Sequence, residues 1–260
     1  MPGSQGAKIL AYDIETAPNI GYSWRTREVD ILKVIEEWYI LCFAYTWIGE
    51  GDEEPQVVSL PDFKKEYKAD PTNDFRVVKK LHELFGAADI VVGHNSNSYD
   101  NRRANARFLV HQLGPPEPFR QLDTCLVARR YFDFNSNKLN DLAEVLGIGS
   151  KAETGGFNLW IRTMAGDKDA WATMTSYCAQ DVALLRDIYY RLRPWIDGHP
   201  NVNMITRNLD NCPKCGSPNM TRQGFKFNKT TTVQQWKCGD CGGWSSSRIS
   251  EKTSKPSLVN

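Results

Sequence analysis

The sequence predicts a layered α/β domain followed by a small β-rich module. Three observations carry this: strand-like and helix-like patterns alternate through the first 200 residues, the texture changes after Trp195, and four of the seven cysteines crowd into the segment beyond it. With 260 residues, 41% of them hydrophobic and a net charge of +1, the chain has an ordinary globular composition and ample length to bury a core. A disulfide-dependent miniprotein, a disordered polyelectrolyte and a collagen-like repeat are excluded.

Lys8 to Asp13, Trp38 to Trp47, Gln56 to Leu60, Ile90 to His94 and a short run near Leu122 are rich in branched or aromatic residues and bounded by turn formers, so strands are expected there. Apolar residues recur at three-to-four spacing in Phe75 to Phe85, Asn101 to Leu113, Thr124 to Tyr131, Lys138 to Leu146 and Asp169 to Leu192. Helices are expected in these, with Asn137 and Asp167 near two of the starts. Strands first and interleaved helices after point to one α/β domain over residues 1–198. A turn-rich connector, IDGHPNVN, leads into the second module, expected over 199–247, and a polar tail over 248–260 is expected to be mobile. The longest apolar stretch, Trp38 to Ile48, is too short to span a bilayer, and the N-terminus has no basic segment leading into an apolar one. No membrane partner and a cytoplasmic location are therefore expected.

The near-zero net charge hides opposed halves. From Asn201 onward nine Lys/Arg face three acids, a net of +6, which leaves 23 basic against 28 acidic residues, −5, in the first 200. A basic module on an acidic body hints at a nucleic-acid partner.

Cys42, Cys125 and Cys178 are scattered through expected core elements. The other four form Cys212-Pro-Lys-Cys215 and Cys238-Gly-Asp-Cys241, two CxxC knuckles separated by 22 residues. Each presents two thiolates from a tight turn, with Gly216 and Gly242 supplying backbone freedom just after it. Together they complete a tetrahedral four-sulfur shell suited to one Zn²⁺. The alternatives are two disulfides, disfavoured without a secretion signal, and a redox pair, disfavoured because neither knuckle opens a helix after a strand. The pattern resembles a zinc ribbon over about residues 211–247. Four thiolates leave no open position for water, so such a metal is structural. Between the knuckles Arg222, Phe225, Lys226, Phe227, Lys229, Trp236 and Lys237 interleave cations with aromatics, as a single-strand-binding surface requires. The alternative is that the aromatics fill the ribbon's small core and the lysines only solvate it.

The first strand ends in Tyr12-Asp13-Ile14-Glu15-Thr16. Residues i and i+2 of an extended segment face the same side, so Asp13 and Glu15 aim two carboxylates at one point. Alone, such a pair is more often a solvated strand edge. After the strand at Ile90 to His94, Gly93-His94-Asn95 leads to Tyr99-Asp100 at a helix start, where Asp100 is also an N-cap candidate. On the last long helix Tyr177 and Asp181 are four residues apart and share a face, although a Tyr at that spacing is usually a core residue. Four carboxylates converging in one cleft repel each other unless cations neutralise them, and hard oxygen donors of this charge suit Mg²⁺ or Mn²⁺. Two such ions about 4 Å apart provide a two-metal arrangement for in-line attack on a phosphodiester.

The order DIET, then GHN with YD following, then YxxxD on a late helix resembles the DEDD exonuclease superfamily, of ribonuclease H-like fold, in its tyrosine-bearing branch. The segment Leu122-Asp-Thr, with Lys138-Leu139 and Leu142-Ala-Glu-Val-Leu-Gly-Ile-Gly, is similar to the proofreading domains of family-B DNA polymerases. The likeness runs over roughly residues 7–192 and implies a mixed sheet flanked by helices. It implies that Asp13, Glu15, Asp100 and Asp181 hold two Mg²⁺ or Mn²⁺ and that Tyr177 orients the attacking water. The histidine-bearing branch places its His five residues before the last Asp, where this chain has Ser176. Asn95 and Tyr99 match positions near the substrate strand, His94 is a packed or supporting group, and Asp123 is structural. The activity implied is 3′–5′ exonucleolytic hydrolysis of nucleic acid, DNA more than RNA and at single-stranded ends, with Arg222, Lys226, Trp236 and Lys237 of the ribbon assisting. Any proofreading role would involve a separate replication or repair protein. The rivals are a ribonuclease or structure-specific endonuclease of the same fold, and a vestigial centre in a nucleic-acid-binding adaptor.

Overall fold

The structure is a computed structural model that describes residues 6–25, 27, 30–49, 54–150, 155–228 and 230–250. Its elements run β1 (Ile9–Thr16), β2 (Ile20–Tyr22), β3 (Lys33–Glu36), β4 (Ile40–Ile48), β5 (Gln56–Ser59), α1 (Lys64–Ala69), α2 (Phe75–Ala87), β6 (Ile90–Gly93), α3 (Asp100–Val110), β7 (Arg120–Asp123), α4 (Thr124–Tyr131), α5 (Leu139–Val145), α6 (Asn158–Met164) and α7 (Lys168–Leu192). Beyond them lie α8 (Asn203–Thr206), β8 (Met220–Phe227), β9 (Thr232–Cys238) and β10 (Trp244–Ser250). No helix among the described residues is long and apolar enough to cross a membrane.

The chain divides into two compact units: Lys8–Arg129 with Asp133–Ile188, and a second from Tyr189 onward that takes in Arg130–Phe132. In the first, a five-stranded sheet has the order β5-β4-β1-β6-β7. Strand β1 pairs antiparallel with β4 and parallel with β6, so the sheet is mixed, as expected. Being central, β1 and β4 are covered on both faces, which is why both read as nearly unbroken apolar runs. The pattern breaks only at the C-terminal end of β1, where half-buried Asp13 and Glu15 flank buried Ile14. Helix α2 packs its Phe85 edge-on against Tyr12 of β1, with ring centroids 4.9 Å apart, and against Phe108 of α3 at 6.0 Å.

A buried ion cluster ties these layers together. Asp74 has no exposed surface; its carboxylate accepts the Ile40 backbone N–H at 2.9 Å, Arg107 Nε at 2.7 Å and His111 Nε2 at 2.6 Å. An aspartate so enclosed is tolerable because donors saturate its oxygens. The hairpin β2–β3, whose described side chains are almost all exposed, and the short α1 and α6 were not expected from the sequence.

In the second unit the sheet order is β10-β9-β8. Buried His199 links the last turn of α7 to the connector: the Pro200 carbonyl can only accept, so Nδ1 carries the proton (2.7 Å) and Nε2 accepts the Tyr189 hydroxyl at 2.8 Å. Burial pulls the His199 pKa down to about 4 and pushes the Tyr189 hydroxyl up. Strand β10 runs to Ser250, past the expected start of the tail at 248; residues 251–260 of that tail lie outside the described residues.

Candidate active site

Ligand oxygens of Asp13, Glu15 and Asp181 all lie within 4.8 Å of one another. Strand alternation aims the first two to one side of β1, and the 25-residue helix α7 brings in Asp181, whose surface is 3% exposed. Asp100 stands outside that triad but against the same strand. Its carboxylate accepts the backbone N–H of Ile14, the residue between Asp13 and Glu15, as well as its own. Burial, the largest influence, raises the Asp100 pKa to about 6; those N–H groups and nearby Arg103 pull it down, and Asp123 pushes it up. Tyr177 sits one helical turn before Asp181, half-buried, with its ring edge-on to Trp160 at 6.4 Å.

The loop from Gly93 to Tyr99 is fixed by tight packing. A Cβ on Gly93 would lie 2.4 Å from Ser96 Cβ, so only glycine fits, and Asn95 follows in the left-handed region at φ 58°. Asp123 accepts the N–H groups of Asn95 (2.9 Å), Asn97 (3.1 Å) and Cys125 (3.0 Å), so one buried carboxylate holds the loop and caps α4. That is a structural task, and Asp123 is absent from the triad. His94 is packed likewise: Nε2 faces the Asn137 carbonyl at 2.8 Å and Nδ1 the Thr124 hydroxyl at 2.9 Å. A cleft of about 680 Å³ opens beside Asp13 and Asp181, lined also by Asn95, Arg129, Asn137 and Lys138.

Several contributors carry no motif of their own. Arg103, one turn after Asp100, stacks its guanidinium over Tyr99 (4.4 Å) and Trp38 (4.5 Å) and donates to Thr16 Oγ1 at 2.9 Å. The i+3 spacing from Asp100 was the available signal. Lys138 belongs to the Lys138-Leu139 motif noted in the sequence, whereas Arg129 gave no signal, because only folding brings it to the cleft.

The four knuckle cysteines also converge, with ligand sulfurs within 4.8 Å of one another. Cys212–Cys241 and Cys215–Cys238 are each 3.7 Å apart. A disulfide needs about 2.05 Å, whereas a tetrahedron of 2.3 Å Zn–S bonds has edges of about 3.8 Å. The sulfur spacing therefore fits a four-thiolate metal shell. Both knuckles close alike: Gly216 N–H donates to Cys212 O (2.8 Å) and Gly242 N–H to Cys238 O (3.1 Å), each glycine at a left-handed φ of 80° or 74°. Hydrogen bonds from Cys215 and Cys241 hold the Cys212 thiol far below its usual range. The sheet register puts Arg222 and Trp236 on one face and Lys226 and Lys237 on the other, so those four do not form a single surface. Lys229 lies outside the described residues.

Residues 36–193 match the sequence profile of the RNase_H superfamily. The chain belongs to that superfamily. The matched span begins after β1, so Asp13 and Glu15 rest on geometry and motif. A search of curated proteins returns no significant match. Among solved structures, the family B DNA polymerase from the hyperthermophilic archaeon Pyrobaculum calidifontis is similar in fold, with a TM-score of 0.54 and 16% identity over 87% of this chain. The chain spans 32% of that polymerase's length. Superfamily membership and this fold support the DEDD-like resemblance and nuclease chemistry in general, and the three-stranded sheet with its cysteine cluster fits a zinc ribbon.

Proposed function

We propose that the chain is a metal-dependent 3′–5′ exonuclease acting on single-stranded ends, DNA before RNA, with a nuclease domain over residues 1–198 and a zinc ribbon over 199–247 that assists substrate binding. The observation that carries this reading is the convergence of Asp13, Glu15 and Asp181 at the end of β1, with Asp100 hydrogen-bonded to the same strand. Crowded hard oxygens in a partly buried site fit divalent cations, and Asp13, Glu15, Asp100 and Asp181 would hold two Mg²⁺ or Mn²⁺. When bound, such ions lower the pKa of water and stabilise charge on a leaving oxygen.

The chain's own groups divide the remaining work. The Tyr177 hydroxyl orients the water that attacks phosphorus; the bond to the preceding 3′-oxygen breaks, that oxygen takes up a proton, and a nucleoside 5′-monophosphate leaves. Asn95, which lines the cleft, and exposed Tyr99 hold the terminal nucleotide. On the ribbon, Arg222 and Trp236 supply a cation and stacking from one face and Lys226 and Lys237 supply charge from the other, and the cysteines hold one structural Zn²⁺. The protein acts in the cytoplasm, with a replication or repair protein as its partner where proofreading is concerned.

The test is digestion of end-labelled single-stranded DNA, duplex DNA and RNA with Mg²⁺ or Mn²⁺. Labelled 5′ ends should yield ladders shortening from the 3′ end, and Asp13→Ala or Asp181→Ala should abolish them. Activity surviving either substitution would overturn the assignment; RNA cut before DNA would make the enzyme a ribonuclease.

A further inference from the structure

We infer that one face of the β8–β9–β10 sheet is a stacking platform for unpaired bases, built from Phe225 and Phe227 beside Trp236 and Arg222. The inference rests on the nuclease reading only for the strand's destination. Side chains that pair across a ladder share a face, so the register gathers Arg222, Phe225 and Phe227 of β8 with Thr232, Gln234 and Trp236 of β9. Arg222 and Phe225 are three positions apart and would fall on opposite faces of a regular strand. The register shifts between them, and Gly224 adopts a φ of 64°, so a bulge returns Phe225 to the face of Arg222. The bulge is locked from the partner strand. Gln234, 4% exposed, donates Nε2–H to the Gly224 carbonyl at 2.7 Å. A buried glutamine spent on aligning two surface phenylalanines is a built arrangement.

Those rings are presented outward: Phe225 is 39% exposed and Phe227 78%. Arg222 lies over the Trp236 ring at 5.6 Å and extends the row with a cation. Between Met220 and Ser250 five Lys/Arg meet one acid, Asp240, which is occupied by Ser217 and Asn219 at the knuckle. Such charge suits a polyanion. Strand addition by a protein is disfavoured although β8 is an outer strand, because a bulge and a lysine interrupt its edge.

Spacing favours an unpaired strand over a duplex. Phe225 and Phe227 are two positions apart on a strand, about 6.7 Å, twice the roughly 3.4 Å between bases stacked in a duplex. Neighbouring rings therefore suit bases already drawn apart, whereas a duplex covers the faces of all but its terminal bases. DNA and RNA share this chemistry.

The test measures binding by the zinc-loaded full chain carrying Asp181→Ala to prevent cleavage. Probes are a single-stranded DNA, the same strand with abasic sites, its RNA counterpart and a blunt duplex, each across a salt series. Phe225→Ala/Phe227→Ala should weaken single-strand binding about tenfold or more, leave the salt slope unchanged, cost nothing on the abasic strand, and be rescued by Phe225→Trp/Phe227→Trp. Arg222→Ala should lower the slope by about one. Zinc content equal to the parent's verifies that the ribbon is folded in each variant. Binding within twofold of the parent, or an equal loss on abasic strands, would overturn the platform. Hydrolysis of a mononucleotide aryl ester by the chain with Asp181 intact, which needs only the carboxylate site, reports separately on the nuclease reading.

Discussion

The carboxylate end of β1 and the cysteine cluster both gather ligands for metal, but they are made in opposite ways. Asp13, Glu15, Asp100 and Asp181 come from two strand positions and two helices spread across 169 residues of chain, so a finished fold must exist before they meet. The cysteines come as two tight knuckles on a segment with few buried side chains, so there the ligand set makes the fold. On the proposed reading, metal is a consequence of folding in one region and a cause of it in the other.

Removing a ligand from each region should therefore do opposite things. Cys212→Ser, or chelation of the zinc, should unfold the ribbon outright, since structural zinc contributes on the order of 10 kcal/mol. Hydrogen exchange would show lost protection across β8–β10 with the five-stranded sheet untouched; retained ribbon protection would break the comparison. Next in size is Asp74→Ala, which leaves Arg107 half-enclosed without its partner and should cost about 3–5 kcal/mol in denaturant unfolding of the first unit. A loss under about 1 kcal/mol would mean that the cluster does not join α2, α3 and β4.

His199 sharpens the contrast through pH. Its pKa in the fold, about 4, lies below the ordinary 6.5, so the fold favours the neutral ring. The associated stability is fully present above pH 6.5 and is lost as pH falls toward 4, up to about 3 kcal/mol. The pH dependence of second-unit stability between pH 7 and pH 5, measured at fixed excess Zn²⁺, should be shallower in His199→Gln than in the parent. The smallest effect belongs to Asp13→Asn. Without metal it should leave stability unchanged or raise it by about 1 kcal/mol, because crowded carboxylates repel. A clear destabilisation would show that the carboxylates serve the fold and not the chemistry.

Most of this was legible in local pattern. The five strands of the main sheet and its longest helices follow from hydrophobic period, and Asp167 does start α7, accepting the N–H groups of Asp169 and Ala170 at 2.9 and 3.1 Å. The knuckles needed only spacing. What stayed hidden depends on distance in sequence or on a single inserted residue. The Asp74–Arg107–His111 cluster joins residues with no shared motif, and Arg129 on α4 and Lys138 just before α5 meet at the cleft only in the folded chain. The bulge at Gly224 reverses the alternation that would have sorted the ribbon's side chains, so Lys226 and Trp236 look like neighbours in composition and lie on opposite faces in the sheet. Strands β2 and β3 have three and four residues with almost no buried side chains, too little for a period to register.

On the proposed reading, the four carboxylates exist to hold catalytic metal. The most direct measurement is isothermal titration of Mn²⁺ into the full, zinc-loaded chain and into Asp181→Ala, paired with digestion of a 5′-labelled single strand by the same samples. The parent should bind Mn²⁺, the variant should lose that binding or be severely weakened in it, and 3′-end hydrolysis should fall by at least about a hundredfold. Equal Mn²⁺ binding and equal hydrolysis by both proteins would contradict this reading.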